Sequence, residues 1–260
     1  MKCLPDIIYD ADNHLALDLY LPDTLRAEAC VIYAHGGGFL AGGRDHVEAV
    51  HFAKYFTDAG FALASVSYRL GTPAAAFNAR DQGYIADDAA RSARIGLTLS
   101  PKLYGPAFFA AMEDLSKAVS FLWMEGQSIG IATPKVGILG VSAGGIAALA
   151  LAYPPALWRH RVSRPDAVVA ISAAFVQPWR LEEDGPPCLM IHGVRDRMIH
   201  LRNGRIAAMR AEQVGAPVTL HNTRVAGHLA QVDLVLDGKT RHGECYMQLV
   251  LDEFARLRDG

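Results

Sequence analysis

Residues 136–152 read Val136-Gly137-Ile138-Leu139-Gly140-Val141-Ser142-Ala143-Gly144-Gly145-Ile146-Ala147-Ala148-Leu149-Ala150-Leu151-Ala152. The run over 136–141 is apolar without alternation and too short for a helix, which predicts a strand buried on both faces. The small and aliphatic residues over 143–152 predict a buried helix, so a sharp turn must fall at Ser142. No charge occurs from Val136 to Trp158, a length that could cross a bilayer. The glycines flanking Ser142 and the pair Pro154-Pro155 argue instead for strand, turn and helix.

Outward from this unit the same alternation recurs. Buried strands are predicted over 29–34, 61–68, 167–172, 188–191 and 217–221, and helices over 47–59, 107–126, 201–214 and 243–257. Two extended runs at 6–9 and 14–21 come first, the second alternating Leu15, Leu17, Leu19 and Leu21, which predicts an antiparallel edge hairpin. Residues 70–106 hold no strand pattern. Asp87 and Arg91 at helical spacing predict one short surface helix over 85–95 there. The expected class is α/β: a mostly parallel central sheet with an antiparallel N-terminal edge, helices on both faces and a small or absent lid. Residues 1–260 are read as one domain, with 71–105 as a lid-like insertion.

The chain has 260 residues, 51% hydrophobic and 20% charged, which excludes a disordered or collagen-like protein. Lys and Arg number 25 against 27 Asp and Glu, for a net charge of -2, so no nucleic-acid footprint is expected. Arg159, His160, Arg161 and Arg164 read as a solvated loop. Cys3, Cys30, Cys188 and Cys245 form no CxxC pair, which fits neither a zinc site nor a dense disulfide framework and suggests a reducing compartment. Asp6, Asp10, Asp12 and Asp18 interrupt the first twenty residues, so no signal peptide is read and a cytoplasmic protein is expected.

Gly140-Val141-Ser142-Ala143-Gly144 is a G-x-S-x-G pattern between a predicted strand and a predicted helix, the context a nucleophile elbow needs. His35-Gly36-Gly37-Gly38-Phe39 follows an earlier strand. Its glycines can let backbone N–H groups converge on an oxygen, a donor of that kind being worth about 3 to 4 kcal/mol in a transition state. A phosphate loop is the competing reading, but Arg44-Asp45 stand where Lys and Ser or Thr are required. With Ser67-Tyr68-Arg69-Leu70 after the next strand, these motifs resemble the α/β-hydrolase superfamily, and within it the HGGG-bearing carboxylesterases of the hormone-sensitive lipase type. The resemblance implies an oxyanion hole at Gly37, Gly38 and Ala143.

A serine hydroxyl needs a base, and the base a carboxylate, in the chain order Ser, Asp, His. Asp196, in the loop leaving a buried strand, and His228, after the last predicted strand, match the positions of the acid and base in these hydrolases. Asp184 precedes its strand, Asp233 follows the proposed base, His192 and His221 fall in or at the end of strands, and His200 begins a helix. No HExxH, EF-hand or GxGxxG pattern occurs, so no cofactor and no metal are expected.

The expected activity is serine-dependent hydrolysis of small carboxylic acyl esters through an acyl-enzyme. Phe39, Trp179, Met198 and Leu229 adjoin the catalytic loops and are candidates for the substrate pocket, while Phe77, Tyr84 and Tyr104 could wall it from the 71–105 insertion. The compact layout also resembles kynurenine formamidases, making an amidase or arylformamidase the alternative, and a non-catalytic ligand-binding pseudo-hydrolase the third reading. The expected partners are a small ester or amide substrate and at most a second copy of the chain as a homodimer, with no nucleic acid and no membrane.

Overall fold

A computed structural model describes residues 1–23, 26–133 and 135–258. Eight strands, β1 (Lys2–Asp10), β2 (Leu15–Leu21), β3 (Cys30–Ala34), β4 (Ala62–Val66), β5 (Val136–Val141), β6 (Ala167–Ile171), β7 (Cys188–Arg195) and β8 (Val218–Ala226), form one sheet. Their order is β1-β2-β4-β3-β5-β6-β7-β8. From β4 to β8 every pair is parallel, and β2 alone runs against both its neighbours, so the antiparallel edge lies at the N-terminus.

Residues alternate across the sheet with the strand period of two. Val31, Tyr33, Leu139 and Ile171 face α1 (Val47–Asp58), α6 (Ala230–Asp237) and α7 (Tyr246–Ala255). Ile32, Ala34, Ile138 and Ala170 face α3 (Pro106–Glu125), α4 (Ala143–Ala152) and α5 (Leu201–Val214). Both faces are therefore covered, which is why β3, β5 and β6 read as unbroken apolar runs. No helix among the described residues is long and apolar enough to cross a membrane.

Several boundaries differ from the sequence reading. Strands β7 and β8 run several residues past the predicted 188–191 and 217–221, because their last residues pair with one another and several of them, such as His192 and Thr223, are polar residues buried through hydrogen bonds, which an apolar run does not announce. Helix α6 was not predicted. Helix α2 (Ala79–Arg94) is far longer than the predicted 85–95. Its N-cap Asn78 accepts from the Asp81 N–H, and its buried face is largely polar: Asp81, Asp88 and Ser92 beside Ile85. An apolar stripe was the wrong signal for a helix docked through hydrogen bonds and ion pairs.

That docking fixes the 70–106 segment across the C-terminal ends of the strands. The Gly71 N–H donates to the Phe39 carbonyl (2.7 Å), Ser92 Oγ donates to the Val176 carbonyl (2.9 Å), and Thr98 N–H donates to Asn203 Oδ1 (2.7 Å). Asp88 binds both Arg180 and Gln177, and the Arg180–Asp88 ion pair is buried on both sides, at 7% and 6% side-chain exposure. Burial pushes the Asp88 carboxyl up and the Arg180 guanidinium down despite their attraction. Removing one partner strands the other charge in the interior. Arg180→Met is therefore expected to cost about 3–5 kcal/mol, and Asp88→Leu combined with Arg180→Met to recover most of it. Thermal unfolding of the single and double variants checks this; equal melting temperatures for native and Arg180→Met would contradict it.

Candidate active site

Helix α4 starts directly after β5, and the turn between them places Ser142 at φ 51° and ψ -116°, a conformation that a non-glycine residue rarely adopts. Its N–H donates to the Ile171 carbonyl (2.8 Å) and its carbonyl opens the helix by accepting from Ile146 N–H (2.9 Å). The neighbours must be small. A Cβ added to Gly140 would lie 2.5 Å from the Gly145 backbone, and one added to Gly144 would lie 2.2 Å from the Ala34 carbonyl oxygen.

The loop leaving β3 comes close beside this turn: a Cβ on Gly36 would meet the Ser142 Cβ at 3.4 Å. Gly37 and Gly38 take φ 117° and 64°, a region that L residues rarely adopt, and at Gly37 a Cβ would also lie 2.0 Å from the Ala41 carbonyl oxygen. Among the described residues the N–H groups of Gly37, Gly38 and Ala143 donate to no protein acceptor, and the space around the Gly38 α-carbon is open. Tyr68 braces the loop, donating its hydroxyl to the His35 carbonyl (2.6 Å) while its ring stacks on the His35 imidazole at 4.2 Å.

The ends of β7 and β8 supply the other two groups. His228 Nε2 lies 2.8 Å from Ser142 Oγ, and His228 Nδ1 lies 2.7 Å from Asp196 Oδ2. A carboxylate only accepts, so Nδ1 carries the proton and Nε2 is left to accept the Ser142 hydroxyl. The other Asp196 oxygen, Oδ1, accepts the N–H groups of Met198 (2.8 Å) and Ile199 (3.0 Å). Burial pushes the Asp196 carboxyl up, but the His228 hydrogen bond and these two N–H donors outweigh it and leave the carboxyl below its ordinary value.

Asp184, Asp233, His200 and His221 stand outside this relay, and His192 buttresses it. The His192 ring is fully buried, with Nε2 2.6 Å from the Ile199 carbonyl and Nδ1 3.1 Å from the Ala173 carbonyl. Burial holds the His192 and His35 imidazoles below their ordinary value. Both the imidazoles and Asp196 therefore bind fewer protons folded than unfolded as the pH falls. The contribution of the two imidazoles to stability is full above their reference of 6.5 and declines below it as the unfolded chain takes up protons at these positions, while the raised Asp88 and Asp114 carboxyls act in the opposite sense at acid pH. The contribution of Asp196 declines from near the carboxyl reference of 3.8 down to its lower folded value. Melting temperatures measured from about pH 8 to about pH 3 should fall first through the imidazole range, and a rise on acidification from neutrality would contradict it.

The expected pocket residues divide. Met198 and Leu229 are largely exposed, close in the chain to Asp196 and His228. Phe39 is corrected: it is fully buried, its ring packed on Tyr68 and Phe108, and it presents no surface to a ligand. Trp179 is also corrected, since its ring lies under the Arg91 guanidinium and lines a separate groove with Ile95, Pro178, Ile206 and Met209. Phe77 and Tyr104 belong to the core, and Tyr84 packs against Trp158. Tyr68 stands in the Ser67-Tyr68-Arg69-Leu70 motif, though its bracing of the glycine loop is seen only in its contacts; Ser172 and Gln231, which hold the His228 loop, belong to no motif, and sequence reasoning missed them.

The sheet order, the turn at Ser142 and the loops at the strand ends make this an α/β-hydrolase fold. The BD-FAE family model matches residues 17–83, from β2 through the glycine loop into α2. No curated protein matches the chain by sequence. Among solved structures, a truncated carbohydrate esterase from gut microbiota aligns with TM-score 0.68 at 17% identity, covering 100% of this chain and 97% of its own. The thermophilic esterase 2 of the planctomycete Thermogutta terrifontis aligns with TM-score 0.66 at 16% identity, covering 98% and 90%. Its paraoxon-phosphorylated form gives TM-score 0.66 at 17% identity over 96% and 90%. At this identity the likeness establishes the fold.

Proposed function

We propose that the protein is a serine hydrolase of small carboxylic acyl esters, with residues 1–260 acting as one hydrolase domain. The observation that carries the reading is the continuous relay from Ser142 Oγ through His228 to Asp196, set beside N–H groups that have no protein acceptor among the described residues. As Ser142 Oγ attacks the carbonyl carbon, His228 Nε2 takes its proton and the carbonyl oxygen becomes an oxyanion. The amides of Gly37, Gly38 and Ala143 stabilise that charge, helped by the N-terminus of α4. Collapse of the tetrahedral intermediate breaks the bond to the alkoxy oxygen, which leaves as alcohol with the proton from His228. Water then gives a proton to Nε2 and adds its hydroxyl to the acyl carbon; the bond from that carbon to Ser142 Oγ breaks, Oγ takes the proton back from Nε2, and the acid leaves. Asp196 holds the imidazole in the required tautomer throughout and stabilises the imidazolium.

A short acyl group fits the surroundings. Phe39, Phe108 and Tyr68 fill the space behind the glycine loop, and the fixed 71–105 segment crosses the strand ends, acting as a wall where a mobile lid could have stood. Structures of the Thermogutta esterase with butyrate and with propionate bound support the same size class. Initial rates on p-nitrophenyl acetate, butyrate and octanoate beside N-formylkynurenine test the reading. Turnover that needs Ser142 and falls with acyl length is expected; preference for the formamide would move the assignment to an arylformamidase, and tight binding without turnover or covalent labelling to a receptor.

A further inference from the structure

We infer that Ser172 and Gln231 are positioning residues that hold the base in register by gripping the backbone carbonyls of its loop; the inference rests on the reading of His228 as that base. Ser172 follows the last residue of β6, is fully buried, and takes φ 50°. Its N–H still donates to the Ile191 carbonyl of β7 (2.9 Å), but its hydroxyl donates to the carbonyl of His228 itself (2.8 Å). A serine in this backbone conformation is strained, and the hydroxyl contact is a reason to tolerate it.

Gln231, also fully buried, takes the preceding carbonyl from the other side. Its Nε2 donates to Gly227 O (3.0 Å) and to Val225 O (3.1 Å), while its Oε1 accepts the Thr223 hydroxyl. Two carbonyl acceptors and one hydroxyl donor leave a single orientation for the amide. The carbonyls of residues 227 and 228 are thus each fixed by a different element, one by the end of β6 and one by α6, just where Gly227 at φ 104° gives the loop freedom to turn. The imidazole has to meet Ser142 and Asp196 at once, so a small rotation of this backbone lengthens one hydrogen bond or both. The neighbouring Ala173 extends the same junction: its carbonyl faces His192 of the acid side, and a Cβ on Gly145 of α4 would lie 2.7 Å from its methyl. One dipeptide at the end of β6 therefore touches the supports of nucleophile, acid and base.

The test uses Ser172→Gly and Gln231→Met in the full chain, with kcat, KM, melting temperature and the low-field proton resonance of the His228–Asp196 hydrogen bond. Ser172→Gly removes the hydroxyl yet relieves the left-handed strain, so it separates positioning from stability. The expected result is kcat lower by about ten- to a hundredfold in each variant with KM nearly unchanged, a melting temperature for Ser172→Gly at or above native, and a shifted or broadened low-field proton. Native-like kcat with an unmoved low-field proton in Ser172→Gly would overturn the inference, whether or not Gln231→Met folds. If the native protein hydrolyses no ester, the proposed function fails, and the low-field proton alone decides the clamp: displaced in Ser172→Gly it supports it, unmoved it removes it.

Discussion

Ser142→Ala is expected to lower kcat for p-nitrophenyl butyrate by about 10⁶-fold while the protein stays folded. The alanine keeps the Cβ that fits the elbow, so the closely approached glycines and the hydrogen bond from residue 142 N–H to Ile171 O are unaffected. What disappears is the atom that attacks. The Gly37, Gly38 and Ala143 amides persist, so a residual rate of about 10³- to 10⁴-fold over water is expected from oxyanion stabilisation and binding alone. Steady-state kinetics with a melting curve on the same preparation checks both halves. Native turnover in a folded Ser142→Ala protein would remove Ser142 as nucleophile.

Asp196→Asn is expected to lower kcat by about 10⁴-fold with little change in KM, and the acid loop explains why so conservative a change is so damaging. Asp196 Oδ1 accepts two backbone N–H groups, from Met198 and Ile199, so an asparagine must place its oxygen there. Its NH₂ then faces His228 Nδ1, which becomes the acceptor, and the ring proton moves to Nε2. That nitrogen stands 2.8 Å from Ser142 Oγ and can no longer take the serine's proton. The defect is a tautomer error in an intact site. A crystal structure of the variant should therefore show native distances, and turnover should improve as the pH rises, when hydroxide can substitute for the lost base. A loss below about tenfold would mean that Asp196 does not set the tautomer.

The parts that sequence could supply are those whose physics is local. The buried run at 136–141 and the small-residue helix after it match β5 and α4, because a strand covered on both faces must be apolar throughout and a helix passing this close to a sheet must be small. The glycines of 36–38 and the order of Ser142, Asp196 and His228 are legible from residue types at strand ends, and the structure brings the last three side chains within hydrogen-bond distance of one another. What stayed hidden depends on partners distant in the chain. Helix α2 buries Asp81 and Asp88 against Arg161 and Arg180, pairs that no periodicity announces. Phe39 sits beside the oxyanion loop in sequence yet turns into the core at φ 62°, so adjacency to a catalytic loop misplaced it. Ser172 and Gln231 carry no motif, since their role lies in which carbonyls they reach.

Covalent trapping tests the central claim most directly. A fluorophosphonate should lose fluoride to Ser142 Oγ and leave a phosphonyl ester on that residue, located by peptide mass spectrometry, with ester turnover lost in step with labelling. Ser142→Ala should take up no label under the same conditions. A native protein that hydrolyses esters while Ser142 remains unmodified, or that is labelled and inactivated at another residue, would contradict the assignment of Ser142 as the nucleophile.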